Sequence, residues 1–217
     1  MDTTLIRRAT AIFAAGLFIF ILTCVLLDST SAFDDPIRYA FYELRDDGLT
    51  FIAKAITHTA DKVFIIALCI ILLIIPATRL KFGLPLSAGA LGVTLINQII
   101  KHLIQRPRPE IAHLVSETGY SFPSGHSITS MFFYCLSIWL VRRYVTNKKA
   151  RDVLTVILAV PMLLVGPTRI YLGVHYPTDV LAGWCLGFFI FAVVVEVIRV
   201  LSQRRAEGIG PNDRLSL

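Results

Sequence analysis

Long apolar runs recur from one end of the chain to the other, and a water-soluble fold of this length has no interior large enough to hide them all. Six candidate spans are read, at about 9–27, 62–78, 82–101, 125–142, 152–168 and 179–198. Of the 217 residues 55% are hydrophobic, and 17% are charged, against roughly 25% in an ordinary soluble domain. A bilayer has to solvate the excess, so the expected fold class is all-α, a six-helix transmembrane bundle, with five or seven spans as the alternatives. Some spans have uncharged cores a little short of the ~20 residues a bilayer asks for, and snorkelling Lys and Arg at their ends complete them. The apolar segments are spread evenly, which predicts a single domain over 1–217.

The stretch 28–61 is too polar to span. Within it Phe33, Ile37, Phe41 and Leu44 repeat at helical spacing, and Phe51, Ala55 and Thr59 do so more weakly. This predicts one or two short interfacial helices between the first and second spans, or an ordinary structured loop. The polar tail after Arg205, with Gly208, Gly210 and Pro211, is expected to fray.

The net charge of +6 is not a nucleic-acid footprint, because the basic residues fall in short groups between apolar segments rather than in a run or on one face. With both termini in the cytoplasm, Arg7, Arg8, Arg79, Lys81, Arg142, Arg143, Lys148, Lys149, Arg151, Arg199, Arg204, Arg205 and Arg214 face inward, as the positive-inside rule requires. The expected location is a multi-pass protein of the cell membrane. Cys24, Cys69, Cys135 and Cys185 lie far apart inside apolar segments, which favours neither a disulfide framework nor a zinc site. Glu196 and Arg199, one helical turn apart, are expected to pair, and Asn97 and Gln98, a turn before Lys101, to bond between helices or else to line a pocket there.

Three groups near the outer ends of spans carry chemistry. In the first, Lys101 to Pro109, Pro107 and Pro109 hold the chain extended and present Arg106 and Arg108 as cations suited to phosphoryl oxygens. Alone, this segment reads as headgroup anchoring. In the second, Ser121 to Ser127, Ser124 and Gly125 open a helix whose first turn, with its free N–H groups, is an anion site beside His126. A plain helix cap with a buried histidine fits that heptapeptide as well. In the third, Arg169 to Asp179, Pro177 starts a helix and places His175 against Asp179, where a carboxylate on one imidazole nitrogen leaves the other free to attack. The bland counterpart is a surface His–Asp pair.

Taken together, Lys101-x6-Arg108-Pro109, then Pro123-Ser124-Gly125-His126, then Arg169-x5-His175-x3-Asp179, in this order and between spans, resembles the type-2 phosphatidic acid phosphatase superfamily. The text from Glu117 to Ser127 looks most like its bacterial phosphatidylglycerophosphatase B and undecaprenyl-diphosphate phosphatase branch. The family usually has Ser before the third-motif arginine, where this chain keeps a hydroxyl as Thr168.

The resemblance implies a membrane lipid phosphatase without metal or other cofactor, whose partners are a lipid phosphate and the bilayer. Lys101, Arg108 and Arg169, with the N–H groups near Ser124 and Gly125, would hold the phosphoryl oxygens. His175 would attack phosphorus, Asp179 would orient it, and His126 would serve the leaving oxygen and then water. Alternating topology puts these groups on the extracytoplasmic side. A transporter or flippase that binds lipid phosphate without cleaving it is the competing reading, though it needs no nucleophile or proton donor.

Overall fold

The computed structural model describes residues 3–207, and the tail with Gly208, Gly210 and Pro211 lies outside them. Among the described residues the chain is helical and contains no strand. The order is α1 (Thr3–Leu26), α2 (Ser31–Glu43), α3 (Asp47–His58), α4 (Lys62–Ile74), α5 (Pro76–Thr78), a π-helical turn (Arg79–Gly83), α6 (Leu84–Ile104), α7 (Gly125–Tyr144), α8 (Lys148–Tyr171) and α9 (Pro177–Glu207).

Local chemistry sets the starts and stops. Asp46, Ser124 and Asn147 cap α3, α7 and α8, their side chains accepting from the N–H of Leu49 at 2.9 Å, Ser127 at 3.4 Å and Ala150 at 3.0 Å. Gln105 ends α6 in the left-handed region with φ 55°, and Pro107 and Pro109 prevent the helix from resuming. Pro76 breaks the second apolar run after Ile74, so the predicted span 62–78 becomes α4 and the short α5. The helices overrun most of the predicted spans, because polar and charged residues at their ends continue the backbone ladder.

Four helical segments are long and apolar enough to cross a membrane: Thr3–Leu26, Pro76–Ile104, Lys148–Tyr171 and Pro177–Arg204. A fifth is reached if α3 and α4, bent by 42° across their break, count as one. α7 falls outside this set because of its place in the bundle. It packs on α6, α8 and α9 and buries Ser127, Ser130 and Ser137 beside Ile128, Phe132 and Leu136. A helix enclosed by its neighbours can carry polar side chains that a lipid-facing one cannot. The α7–α9 seam is close: a Cβ on Gly183 would stand 2.9 Å from the Ser124 carbonyl oxygen, and one on Gly187 would stand 2.6 Å from that of Ile128. Small residues four apart let the backbones approach.

The stretch 28–61 forms two helices, α2 and α3. They dock through Phe41 and Ala53 on Tyr171, Leu172 and Val174, a small second core beneath the α8–α9 turn. Arg45 fastens this corner, donating to the carbonyls of Tyr171 at 3.0 Å and Ala112 at 3.1 Å. At the far end of the bundle α1 packs on α9, and Glu196 bonds Arg7 and Arg8 of α1. The expected Glu196–Arg199 pair is thereby replaced, and Arg199 donates to Thr4 Oγ1 at 2.6 Å.

Candidate active site

The C-terminal ends of α6 and α8, the N-terminal ends of α7 and α9 and the 105–124 segment meet at one end of the bundle. Lys101, expected to close the third span, and Arg169, expected just beyond the fifth, occupy the last turns of α6 and α8. Gly173, with φ +81°, turns the chain out of α8, and the Val174 N–H returns to the Arg169 carbonyl at 3.2 Å. This turn delivers His175 against the start of α9, where it is 2% exposed.

The two nitrogens of His175 face different surroundings. Nδ1 lies 3.4 Å from Asp179 Oδ2 and 3.4 Å from Ser121 Oγ. Nε2 lies 3.4 Å from Arg108 Nη1, on the cavity side. Asp179 is fully buried, and its carboxylate accepts from the Ser121 hydroxyl, from the Tyr176 N–H at 2.9 Å and from Arg106 at 2.7 Å. Burial pushes the His175 imidazolium pKa down to about 3; Asp179 pulls the other way, and Arg169 and Lys101 add to the depression. The ring is therefore neutral at pH 7, as a nucleophile must be.

The unfolded chain protonates His175 below the ordinary histidine pKa of about 6.5, while the folded chain does not until far lower. Stability from this group is thus complete above that pH and declines as pH falls through the window below it. Nitrogen-edited NMR of histidine-labelled protein should show a neutral His175 ring, unchanged from about pH 8 to pH 5. A ring that titrates near 6.5 would contradict this environment.

Arg108 is clamped by carbonyls, donating to Val174 at 2.8 Å, Thr118 at 3.0 Å and Gly119 at 3.1 Å. Lys101 donates to the Tyr120 carbonyl. Arg169 is 1% exposed and donates to Thr57 Oγ1 at 3.0 Å and to Glu117. Glu117 also lies 3.6 Å from Arg108 and 3.8 Å from His126 Nδ1. Its own burial would raise its carboxyl pKa, but Arg169, His126 and Arg108 outweigh that and hold it below the ordinary carboxylate value. The other nitrogen of His126, Nε2, is 2.6 Å from Asp61 Oδ1.

These side chains enclose a cavity of about 290 Å³ lined by Lys101, Arg108, Glu117, Gly125, His126 and His175. Two expected members stand back from its wall. Arg169 lies behind Glu117, and Ser124 is fully buried. The Ser124 N–H is not free for an anion, because it donates to the Asp179 carbonyl at 3.1 Å. Gly125 does reach the wall, and a Cβ there would stand 2.8 Å from Asn97 Nδ2. Of the two readings for Asn97 and Gln98 the structure favours the pocket: both line the cavity, and the Asn97 Oδ1 is buried and unbonded among the described residues.

Local spacing did not reveal Asp61, Thr57 or Ser121 as partners of the site. Glu117, just before the second motif, has no spacing that marks it, and Arg106, expected beside Arg108 to suit phosphoryl oxygens, bonds Asp34 and Asp179 instead. Ser121 alone had a positional cue, three residues before the cap of α7.

The comparisons agree with this geometry. Residues 82–202 match the PAP2 superfamily. Phosphatidylglycerophosphatase B of Bacillus subtilis is 33% identical over 189 residues, covering 82% of this chain and 91% of that protein. An undecaprenyl-diphosphatase of Sulfolobus acidocaldarius is 33% identical over 133 residues, covering 58% of this chain and 60% of that protein. The crystal structure of a transmembrane PAP2-type phosphatidylglycerolphosphate phosphatase from Bacillus subtilis superposes with a TM-score of 0.79 at 29% identity, over 88% of this chain and 96% of that one. With the motif side chains gathered around one cavity inside the matched region, this integral membrane chain belongs to the PAP2 superfamily.

Proposed function

We propose that the chain hydrolyses a phosphomonoester or diphosphate on a lipid, of the undecaprenyl diphosphate, phosphatidylglycerophosphate or phosphatidic acid type, through a phosphohistidine. The observation that carries this is the division of His175: Nδ1 towards buried Asp179, Nε2 towards Arg108 and the cavity. Nε2 attacks phosphorus and the bond to the lipid oxygen breaks. His126, on the cavity wall and held by Asp61, gives that oxygen its proton. Water then attacks the phosphohistidine while His126 takes its proton, and inorganic phosphate leaves.

Lys101, Arg108 and Arg169 meet the charge on the phosphoryl oxygens, and Gly125 leaves room for them. An entering phosphoryl group competes with the Glu117 carboxylate for Arg169 and Arg108. These cations supply the charge that a metal brings elsewhere, so the reaction runs without one. The names of the relatives, a phosphatidylglycerophosphatase and an undecaprenyl-diphosphatase, support the substrate class.

The same reading treats 1–217 as one domain with six spans, α7 being the enclosed one and α3–α4 the bent one. Both termini are cytoplasmic, α2 lies on the outer interface, and the cavity opens at the extracytoplasmic side of the cell membrane. The test is a panel of lipid mono- and diphosphates offered to purified protein in nanodiscs with excess EDTA, with free phosphate measured. Release on at least one lipid, undiminished by the chelator, is expected. No release on any of them refutes the hydrolase, and loss in EDTA restored by a divalent cation refutes the metal-free reaction.

A further inference from the structure

Arg106 is the one cation of the Lys101–Pro109 segment that turns away from the cavity. Its guanidinium lies 4.0 Å from the centroid of the Tyr176 ring, and its two arms reach two buried carboxylates. Nη1 donates to Asp179 Oδ1 at 2.7 Å and to Thr178 Oγ1 at 2.8 Å. Nη2 donates to Asp34 Oδ2 at 2.8 Å and to Thr30 Oγ1 at 2.7 Å. Asp34, in the first turn of α2 and 1% exposed, closes the circuit by accepting from the Thr178 N–H at 2.8 Å and the Thr178 hydroxyl at 2.8 Å.

The oxygen that Arg106 takes on Asp179 is Oδ1. The oxygen facing His175 is Oδ2. A carboxylate held by one oxygen alone can swing about its terminal bond, whereas one held at both cannot. Arg106 is in turn held in its plane by Asp34, since a guanidinium fork fixes direction as well as charge. An isolated buried carboxylate or guanidinium carries a large desolvation cost, so removing any one member frees the others to move towards water.

We infer that Arg106 and Asp34 are positioning residues that aim the Asp179 carboxylate at His175, making α2 part of the apparatus that orients the nucleophile. The inference rests on the reading of His175 as that nucleophile. The bland counterpart is a plain structural lock joining α2, the 105–109 segment and α9. The two differ in what they move. A lock affects the folded fraction. A positioning pair affects the rate of the chemical step in molecules that are folded, because small misplacements of a reacting group are costly.

The experiment compares wild type with Arg106→Met, Arg106→Lys and Asp34→Asn in nanodiscs, using a lipid phosphate that the wild type hydrolyses. It reads kcat, KM, the rate of phosphoenzyme formation in a single turnover, and the melting temperature. Arg106→Met is expected to lower kcat by about 100-fold and Asp34→Asn by about 10-fold, with KM within about two-fold of wild type. Phosphoenzyme formation should slow in parallel. Arg106→Lys keeps the charge without the fork and should recover part of the loss. The double variant Asp34→Asn/Arg106→Met should be no worse than Arg106→Met, because the two act through one carboxylate.

If Arg106→Met fails to fold, Asp34→Asn, which keeps shape and volume, decides the matter. Wild-type kcat in the folded variants, or a loss confined to KM or to the folded fraction, overturns the inference while leaving the proposed activity standing. A wild type that releases no phosphate from any lipid overturns both.

Discussion

Replacing His175 by alanine is expected to abolish phosphate release, lowering kcat by about 10⁴-fold or more, as loss of a nucleophile does in other covalent enzymes. The physical basis is that, among the described residues, His175 is the cavity-wall imidazole with one nitrogen against a buried carboxylate and the other beside Arg108. His126 has Nε2 on Asp61, and its other nitrogen is the one the proposed reaction assigns to the leaving oxygen and then to water. Lys101 is engaged with the Tyr120 carbonyl. Binding should survive, because the cations that hold the phosphate are untouched. The variant should therefore still compete for substrate in a mixture with wild type. In a rapid-quench experiment with labelled lipid phosphate, wild type should form an acid-labile, alkali-stable phosphoenzyme and His175→Ala none. Hydrolysis by His175→Ala at a tenth of the wild-type rate or more would remove His175 from the reaction and with it the mechanism.

The residues that make this prediction possible were legible because their spacing is local. Lys101 and Arg108, Ser124 to His126, and Arg169, His175 and Asp179 each sit within one short segment, where helix starts and prolines fix their relation. Their partners were not legible for the opposite reason. Thr57 and Asp61 come from the α3–α4 corner and Asp34 from α2, and they meet Arg169, His126 and Thr178 only when the bundle closes. A periodic pattern tells which face of a helix is apolar; it does not tell which distant side chain that helix will meet. Glu196 illustrates the same limit, since its neighbour one turn away lost to Arg7 and Arg8 across the α1–α9 contact. Six apolar runs were legible, but four helical segments, or five with the bent α3–α4 pair, are long and apolar enough to cross a membrane; α7, read as a span, is enclosed by its neighbours and carries buried serines.

Arg169→Lys should cost about 10²- to 10³-fold in kcat, the range seen when one preorganised donor to a developing oxyanion is removed, although the formal charge is unchanged. Arg169 is held in place by two groups, Thr57 at Nη1 and Glu117 at Nη2, while its Nε is buried with no hydrogen-bond partner among the described residues. That third donor is costly to leave unmade, and a phosphoryl oxygen is the acceptor the proposed reaction provides. A lysine ammonium is a single point of charge on a flexible stem. It can satisfy Glu117 or Thr57, but it cannot hold both and still present a fixed donor to phosphate. The lost interaction is one that strengthens as charge builds on the phosphoryl oxygens, so kcat should fall further than KM rises. Arg169→Leu should be worse than Arg169→Lys, because it leaves the Glu117 carboxylate without its main counter-charge and in the path of an anionic substrate. Substitution of Glu117 by glutamine in the Arg169→Leu background should then recover part of the activity. Equal kcat for Arg169→Lys and wild type, measured on the same lipid phosphate in nanodiscs, would mean that Arg169 supplies charge alone and that its fork contributes nothing.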